Sequence, residues 1–254
     1  MLKKRLIGVV TVKDGWAVQS FGYRRYLPLG KPELLVQNLD RWGADEILVQ
    51  CIDRTTSGLG PDFDLLGRIS KLKISTPLIY SGGISQREDA LKVISHGADR
   101  IMVDAMLLDT PQALEAVARD LGTQAVIAHL PACMKPDGLT ALYYRKRSER
   151  PLTQWLEKLP QEWISELMVS DWQNEGSPGR FDERLLDIAR HIDKPLLCFG
   201  GISEAAQIQR VLAHPHVVAV GVGNFLSYRE HAVQSLKLKL EGSAVRAPYY
   251  ETTV

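Results

Sequence analysis

Short apolar runs recur along the chain, and between most of them lie segments whose apolar positions repeat every three to four residues. The runs predict β-strands at 5–11, 46–52, 77–81, 100–104, 124–130, 166–171, 195–199 and 217–222. The segments "PELLVQNLDRWG" (32–43), "REDALKVISHG" (87–97) and "TPQALEAVARDLG" (110–122) have the spacing of amphipathic helices. Near-continuous apolar strands joined by crossover helices suit a parallel sheet covered on both faces, and eight such units close into a barrel. The expected fold class is α/β, a (β/α)8 TIM barrel. No Ser/Gly-rich linker breaks the alternation, so residues 1–254 are expected to form one domain.

The pattern repeats. "PLIYSGGIS" (77–85) returns as "PLLCFGGIS" (195–203), "DEILVQ" (45–50) as "SELMVS" (165–170), and "DFDLLGRI" (62–69) as "RFDERLLDI" (180–188). The offset stays at 118 to 120 residues, about half of the 254. An ordered series at one offset implies two fused half-barrels. Side chains alternate along strands, so Arg5, Ile7, Val9 and Thr11 are expected to share the inward face of the first strand.

Charge removes several function classes. With 31 basic and 30 acidic residues the net charge is +1, which leaves no bulk field for nucleic acid or an anionic membrane. The basic stretch "YYRKRSER" (143–150) reads as a solvated loop. Cys51, Cys133 and Cys198 show neither a disulfide framework nor metal-ligand spacing, and no dinucleotide fingerprint appears, so no metal and no cofactor are expected. The opening apolar run, seven residues before Lys13, is too short to span a membrane and lacks a small-residue cleavage site. A cytoplasmic protein is expected.

Each Gly-Gly-Ile-Ser sits between an apolar strand and a helix. The glycines either let backbone N–H groups approach a phosphate at a helix N-terminus or simply make a tight turn with Ser85 or Ser203 as N-cap. Two copies in opposite halves would match a substrate with two distant phosphates.

The segments "KRLIGVVTVKDG", "GADEILV", "SGGI", "GADRIMV", "GTQAVIA" and "FGGIS" carry a resemblance over nearly the full length. The chain resembles the cyclase (HisF-like) subunit family of imidazole glycerol phosphate synthase, a half-barrel duplication with two phosphate sites. The resemblance implies a glutaminase partner docked on the N-terminal face, and ammonia passing along the barrel axis to a phosphorylated small-molecule acceptor at the C-terminal face. It implies an ammonia gate of Arg5, Glu46, Arg100 and Glu166, whose paired charges lower the cost of burial, and a place for Asp99 near the glutaminase. It places Gly82 and Gly83, Glu175-Gly176-Ser177, Gly200 and Gly201, and Gly223 and Asn224 at phosphate-binding positions.

The mouth departs from that family. Thr11 and Pro131 stand at the two catalytic aspartate positions, and neither can act as a general acid or base. Gln19 replaces a loop lysine, Cys51 another aspartate, and Asp104-Ala105 an Asn-Thr pair; an ionised Asp104 would repel phosphate. Asp53, Asp104 and Asp171, at strand ends, are the remaining catalytic candidates. His129 is expected to face the lumen beneath Pro131 as a hydrogen-bonded core residue, ahead of a relay role. Phe199 and Trp172 make the mouth more apolar, Cys198 reads as core, and the loops 16–30, 53–61 and 131–150 diverge most. "RRYLPLGKPE" and "GPDFD" resemble a paralogous branch that accompanies amidation of acetamido sugars in surface polysaccharides, although Pro131 departs from that branch too. Three functions are expected in descending order. The first is an ammonia-using synthase subunit acting on a phosphorylated or nucleotide-linked sugar. The second is a histidine-pathway cyclase with Asp53 or Asp104 standing in, and the third a non-catalytic glutaminase scaffold.

Overall fold

Twelve strands form among the residues that the computed structural model describes, 3–146 and 148–248. Met1, Leu2, Arg147 of the basic stretch, and 249–254 of the expected domain lie outside the described residues. In chain order the strands are β1 (Arg5–Lys13), β2 (Trp16–Phe21), β3 (Arg25–Gly30), β4 (Glu46–Cys51), β5 (Leu78–Ser81), β6 (Arg100–Val103), β7 (Val126–Lys135), β8 (Gly138–Tyr143), β9 (Ser148–Pro151), β10 (Glu166–Asp171), β11 (Leu196–Phe199) and β12 (Val217–Val222). Eight of them run parallel in the order β1-β4-β5-β6-β7-β10-β11-β12, and β12 pairs back onto β1, which closes the (β/α)8 barrel. The alternation resolves into two apolar layers. Ile7, Val9, Leu48, Ile79, Met102, Ile127, Met168 and Leu197 pack inside the barrel, while Leu6, Val10, Val12, Ile47 and Val49 pack outward against the helices.

The expected amphipathic helices form at Pro32–Arg41, Arg87–Ser95 and Pro111–Leu121. Two begin with proline in the first turn, where a missing N–H costs nothing, and the third with a capping box between Gln86 and Asp89. The duplicated segments "DFDLLGRI" and "RFDERLLDI" diverge here. The first becomes the α-helix Phe63–Ser70, whereas the second becomes a 3₁₀ helix, Glu183–Arg190. In the second, Asp182 accepts from the Arg184 N–H at 3.1 Å, a tight start, and Leu185 and Ile188, three apart, stack on one buried edge.

The segments expected as loops at 16–30 and 131–150 are largely antiparallel hairpins. β2 pairs β1 and β3; β8 extends from β7 and pairs β9. They rise from the first and fifth barrel strands, equivalent places in the two halves, and roof the C-terminal mouth. The basic stretch is correspondingly not wholly solvated. Arg145 and Lys146 are exposed, but Tyr143 is buried and its hydroxyl donates to the Asp109 carboxylate at 2.5 Å.

The two "GAD" triplets act as staples between neighbouring strands. Asp45 accepts the Leu6 N–H at 2.8 Å and donates its own N–H to the Leu6 carbonyl at 2.9 Å; Asp99 does the same with Leu78, at the same two distances. Asp45 is further held by Lys237 of the C-terminal helix Ala232–Lys239, whose ammonium lies 2.8 Å from the carboxylate and 2.8 Å from the Gly43 carbonyl. No helix among the described residues is long and apolar enough to cross a membrane.

Side chains of Lys237 and Asp45 are only 2% and 3% exposed, so removing the ammonium leaves a buried carboxylate with only the Leu6 N–H and, at 4.0 Å, the Arg246 guanidinium. Lys237→Ala is expected to lower the unfolding free energy by about 3 kcal/mol in a urea titration. A loss near that of an exposed pair, under about 1 kcal/mol, would show that water replaces the ammonium.

Candidate functional site

The floor of the barrel is a closed ring of four charges. Arg5, Glu46, Arg100 and Glu166 are the first residues of β1, β4, β6 and β10, and inward alternation brings them together on the axis. Arg5 lies 3.1 Å from Glu46 and 2.5 Å from Glu166; Arg100 lies 3.3 Å from Glu46 and 2.6 Å from Glu166. Each carboxylate is thus shared by two guanidiniums. Burial pushes the Glu46 carboxyl above its ordinary range, and the two arginines oppose the shift. Arg100 is also tied to the Gln124 carbonyl at 3.0 Å and the Ser165 hydroxyl at 2.9 Å, which fixes the ring to the wall. Asp99 lies next to Arg100 on this face, exposed, with its carboxylate engaged by the Leu78 N–H.

Above the ring comes an apolar storey of Leu48, Ile79, Met102, Ile127, Met168 and Leu197, then a polar one. There His129, 2% exposed, shares a 2.8 Å hydrogen bond between Nε2 and the Ser170 hydroxyl. Burial lowers its pKa to about 4 against the opposing charge of Asp104, so the imidazole is neutral at pH 7.

At the mouth, Thr11 stands level with Gln50 of β4, and Pro131 level with Ser170 of β10. The hairpins meet above them. Tyr23, in the β2–β3 turn, and Tyr144, beyond β8, make an edge-to-face contact with centroids 5.6 Å apart. Tyr23 adopts φ 53°, an uncommon conformation for a bulky residue, and its surroundings impose it. Glu175 accepts from the Ser20 hydroxyl (2.9 Å) and the Tyr23 N–H (3.2 Å), while Tyr26 donates to the Tyr23 carbonyl at 2.6 Å. Asn224 clasps the Ser20 backbone from the other side, donating at 2.7 Å and accepting at 3.2 Å.

Two cavities open beneath this roof. A cavity of about 770 Å³ over the first half-barrel is lined by Gln50, Asp53, Thr55, Ser81, Gly82, Asp104, Tyr23 and Tyr144. A smaller one, about 390 Å³, lies over the second half and is lined by Arg24, Trp172, Gln173, Glu175 and Ser177. Arg24 spans both, its guanidinium 5.9 Å from the centre of the Trp172 ring.

The three carboxylate candidates separate. Asp53 and Asp104 line the larger cavity, each accepting one backbone N–H, from Asp14 at 2.9 Å and from Ala105 at 2.5 Å. Asp171 lies on the outward side of β10 and is 1% exposed; its carboxylate accepts from the Asn174 N–H, the Asn174 amide and the Asp182 N–H at 3.2, 2.8 and 2.9 Å. It braces the β10 loop. Burial raises its pKa, and those hydrogen bonds pull it back. Cys51 turns outward into the core beside Tyr80, its thiol pushed up to about 12 by burial, and Cys198 is likewise buried.

All but one of the glycines at the expected phosphate positions have a packing reason to be glycine, and the exception is Gly223. A Cβ on Gly82 would lie 2.2 Å from the Cys51 carbonyl oxygen, on Gly83 2.2 Å from that of Gly60, on Gly176 2.1 Å from that of Ser20, and on Gly200 2.4 Å from that of Asp171. A Cβ on Gly201 would approach the Phe181 nitrogen at 2.8 Å, whereas one on Gly223 would lie in ordinary contact with the Phe199 ring at 3.4 Å. Some donors are already spent: the Gly83 N–H on the Thr55 hydroxyl at 3.0 Å, the Ser177 N–H on the Asn174 carbonyl at 2.9 Å, and the Asn224 amide on Ser20. Among the described residues no group of three or more His, Cys, Asp or Glu side chains could hold a metal ion.

Residues 5–232 match the family described as histidine biosynthesis protein. The chain belongs to this family. A Vibrio vulnificus (strain YJ016) protein, provisionally named imidazole glycerol phosphate synthase subunit hisF2, is 26% identical over 96% of this chain and 90% of its own length. Imidazole glycerol phosphate synthase subunit HisF of Staphylococcus aureus is similar to the same degree: 26% in strain Newman and 27% in strain MRSA252, over 97% of this chain and the whole of each relative. In this HisF-like barrel the charged floor is assembled, while the mouth presents Thr11 and Pro131 backed by a hydroxyl and amide lining.

Sequence reasoning did not single out Tyr23, Tyr144, Gln50, Ser81 or Arg24. A signal existed: Tyr23 and Tyr144 are 121 residues apart, close to the repeat offset, and Gln50 and Ser81 each fall two places after an inward apolar residue.

His129 gives an acid-side test. Its folded pKa of about 4 lies below the ordinary 6.5, so between those values the unfolded chain binds the extra proton and stability rises with pH. The contribution is complete above pH 6.5 and falls by about 3 kcal/mol as pH drops through 6.5 towards 4. His129→Gln is expected to flatten that limb in urea titrations compared across the range; an unchanged slope would place the imidazole in contact with water.

Proposed function

We propose that this HisF-like chain is the ammonia-using subunit of a two-component synthase. It aminates a phosphorylated or nucleotide-linked sugar and does not close an imidazole ring. One observation carries the reading: all four members of the floor ring are present and mutually bonded, while both catalytic aspartate positions hold residues that cannot transfer a proton near neutral pH. A glutaminase docks at the floor, beside Asp99, and releases ammonia to the ring. The apolar storey above it favours the uncharged molecule over ammonium, because an unpaired cation among Leu48, Met102 and Met168 would be costly. At the mouth the nitrogen lone pair adds to a carbonyl carbon of the acceptor as the C=O π pair moves onto oxygen. The proton shed by nitrogen passes to Asp53 or Asp104, two of the carboxylates that line the cavity, and from there to that oxygen, giving a carbinolamine.

The histidine-pathway reading has the names of the Staphylococcus relatives in its favour. Against it stands the loss of two proton-transfer groups, each typically worth about 10² to 10⁴ in rate.

The test pairs the purified chain with the glutaminase encoded in its own genome neighbourhood. Complex formation and stimulated glutamine hydrolysis are expected, both weakened by Arg5→Ala. In parallel, the gene is expected not to restore growth without histidine to a strain lacking the cyclase. Absence of any complex overturns the ammonia reading, and restored growth overturns the sugar reading.

A further inference from the structure

The larger cavity carries a chemistry of its own. At its base lie Gln50, 5% exposed, and Ser81, 6% exposed, both opening into the space. The Gln50 amide oxygen receives a long, 3.5 Å hydrogen bond from Tyr23; among the described residues, its amide nitrogen and the Ser81 hydroxyl have no partner. Two nearly buried polar groups left open towards a cavity await a ligand that offers both donors and acceptors.

Phosphate is a poor candidate for that ligand. Asp53 and Asp104 face the cavity, and a phosphate dianion beside two carboxylates meets like charge in a partly dry site. Of the cations at or beside this cavity, two are committed. Arg54 donates to the carbonyls of Gly60, Leu59 and Pro61 at 2.7, 3.1 and 2.9 Å. Lys13 is paired with Asp14. The Gly83 N–H, which a phosphate would need from the strand-to-helix turn, is held by Thr55. The cavity instead has aromatic walls, carboxylate acceptors, an amide and a hydroxyl. These groups suit a hydroxylated ring, neutral or bearing an amine.

Arg24 differs from the other cations. It lines both cavities and, among the described residues, has no carboxylate partner; its contact is the Trp172 ring. An anionic group is seated on its second-half side, where Gln173 and Ser177 line the smaller cavity and the Glu175 carboxylate is already bonded to Ser20 and Tyr23.

We infer that the first-half cavity is a subsite for the hydroxyl- or amine-bearing ring of a sugar and excludes phosphate, so that the acceptor has one anionic end, held at Arg24. The inference deepens the proposed function and rests on it for the term acceptor. Its test uses the chain alone, without glutaminase, so that either idea can fail without the other.

Calorimetric titration with inorganic phosphate is expected to give one equivalent per chain, lost in Arg24→Ala. Glucosamine 6-phosphate is expected to bind at least tenfold more tightly than inorganic phosphate, and Asp104→Asn to reduce that advantage several-fold. Fructose 1,6-bisphosphate is expected to bind no more tightly than glucosamine 6-phosphate in the native chain, and to gain in Asp53→Asn/Asp104→Asn. Two equivalents of phosphate, none, or an amino-sugar phosphate that binds no better than inorganic phosphate would each overturn the assignment. Proton spectra of each variant confirm that it is folded.

Discussion

Four charged side chains are held on the axis of this barrel because each carboxylate touches two guanidiniums and each guanidinium two carboxylates. Burying any one of them alone would cost several kcal/mol, and burying one pair would still leave donors and acceptors short. The closed alternation cancels the charge and sets the spacing of the starts of β1, β4, β6 and β10. Everything higher in the lumen follows from that level. Once Arg5 faces inward, so must Ile7, Val9 and Thr11, and parity does the same for the other strands. The floor, the apolar storey and the mouth are therefore separate chemical compartments on the same strands. The mouth can change without disturbing the floor, as the proposed function requires.

The duplication gives the mouth its form. Thr11 and Pro131 lie 120 residues apart, at corresponding levels of the first and fifth barrel strands, and each strand runs on into a hairpin. Tyrosines from the two hairpins then meet over the axis. Above Thr11 and Pro131 there thus stands a pair of aromatic rings bearing hydroxyls. Burial raises the pKa of both tyrosines well above the ordinary value, so they serve as neutral donors and acceptors. Such a roof can orient a ligand and exclude water, roles that need no titration. Symmetry of backbone does not extend to charge: Asp53 and Asp104 border only the first-half cavity, whereas Arg24 and the Trp172 ring border both.

The sequence carried the barrel because its strands are near-continuous apolar runs and its crossovers have helical period, signals that local residues impose on the backbone. It carried the floor ring because inward parity is countable from β1 onward. The hairpins were less legible. "WAVQSF" and "RYLPLG" lack a long alternation, and their strand pairing depends on Glu175 and Asn224, more than a hundred residues away, gripping Ser20. Asp171 misled for a related reason. A carboxylate at a strand end reads as a mouth residue, but one step of parity turns it outward to cap its own loop. The 3₁₀ crossover was hidden because a spacing of three fits both helix types, and the choice lay in how Asp182 starts the turn.

The glycines bear on function in a way that neither composition nor spacing could reveal. A Gly-Gly turn after a barrel strand supports two readings, anion cradle and tight crossing, and the Cβ distances show that the crossing alone requires every one of them at Gly82, Gly83, Gly200 and Gly201. The turns are therefore compulsory for the fold whatever the site binds. A barrel that exchanges its phosphate for a different group would keep its Gly-Gly-Ile-Ser motifs unchanged, and the evidence of the exchange would sit in the residues around them. Around the first turn of this chain stand Thr55, which takes the Gly83 N–H, and Asp104, which lines the same cavity as Gly82. Ligand chemistry in this duplicated barrel is written in the side chains that face the turns, and the turns record the backbone's own constraint.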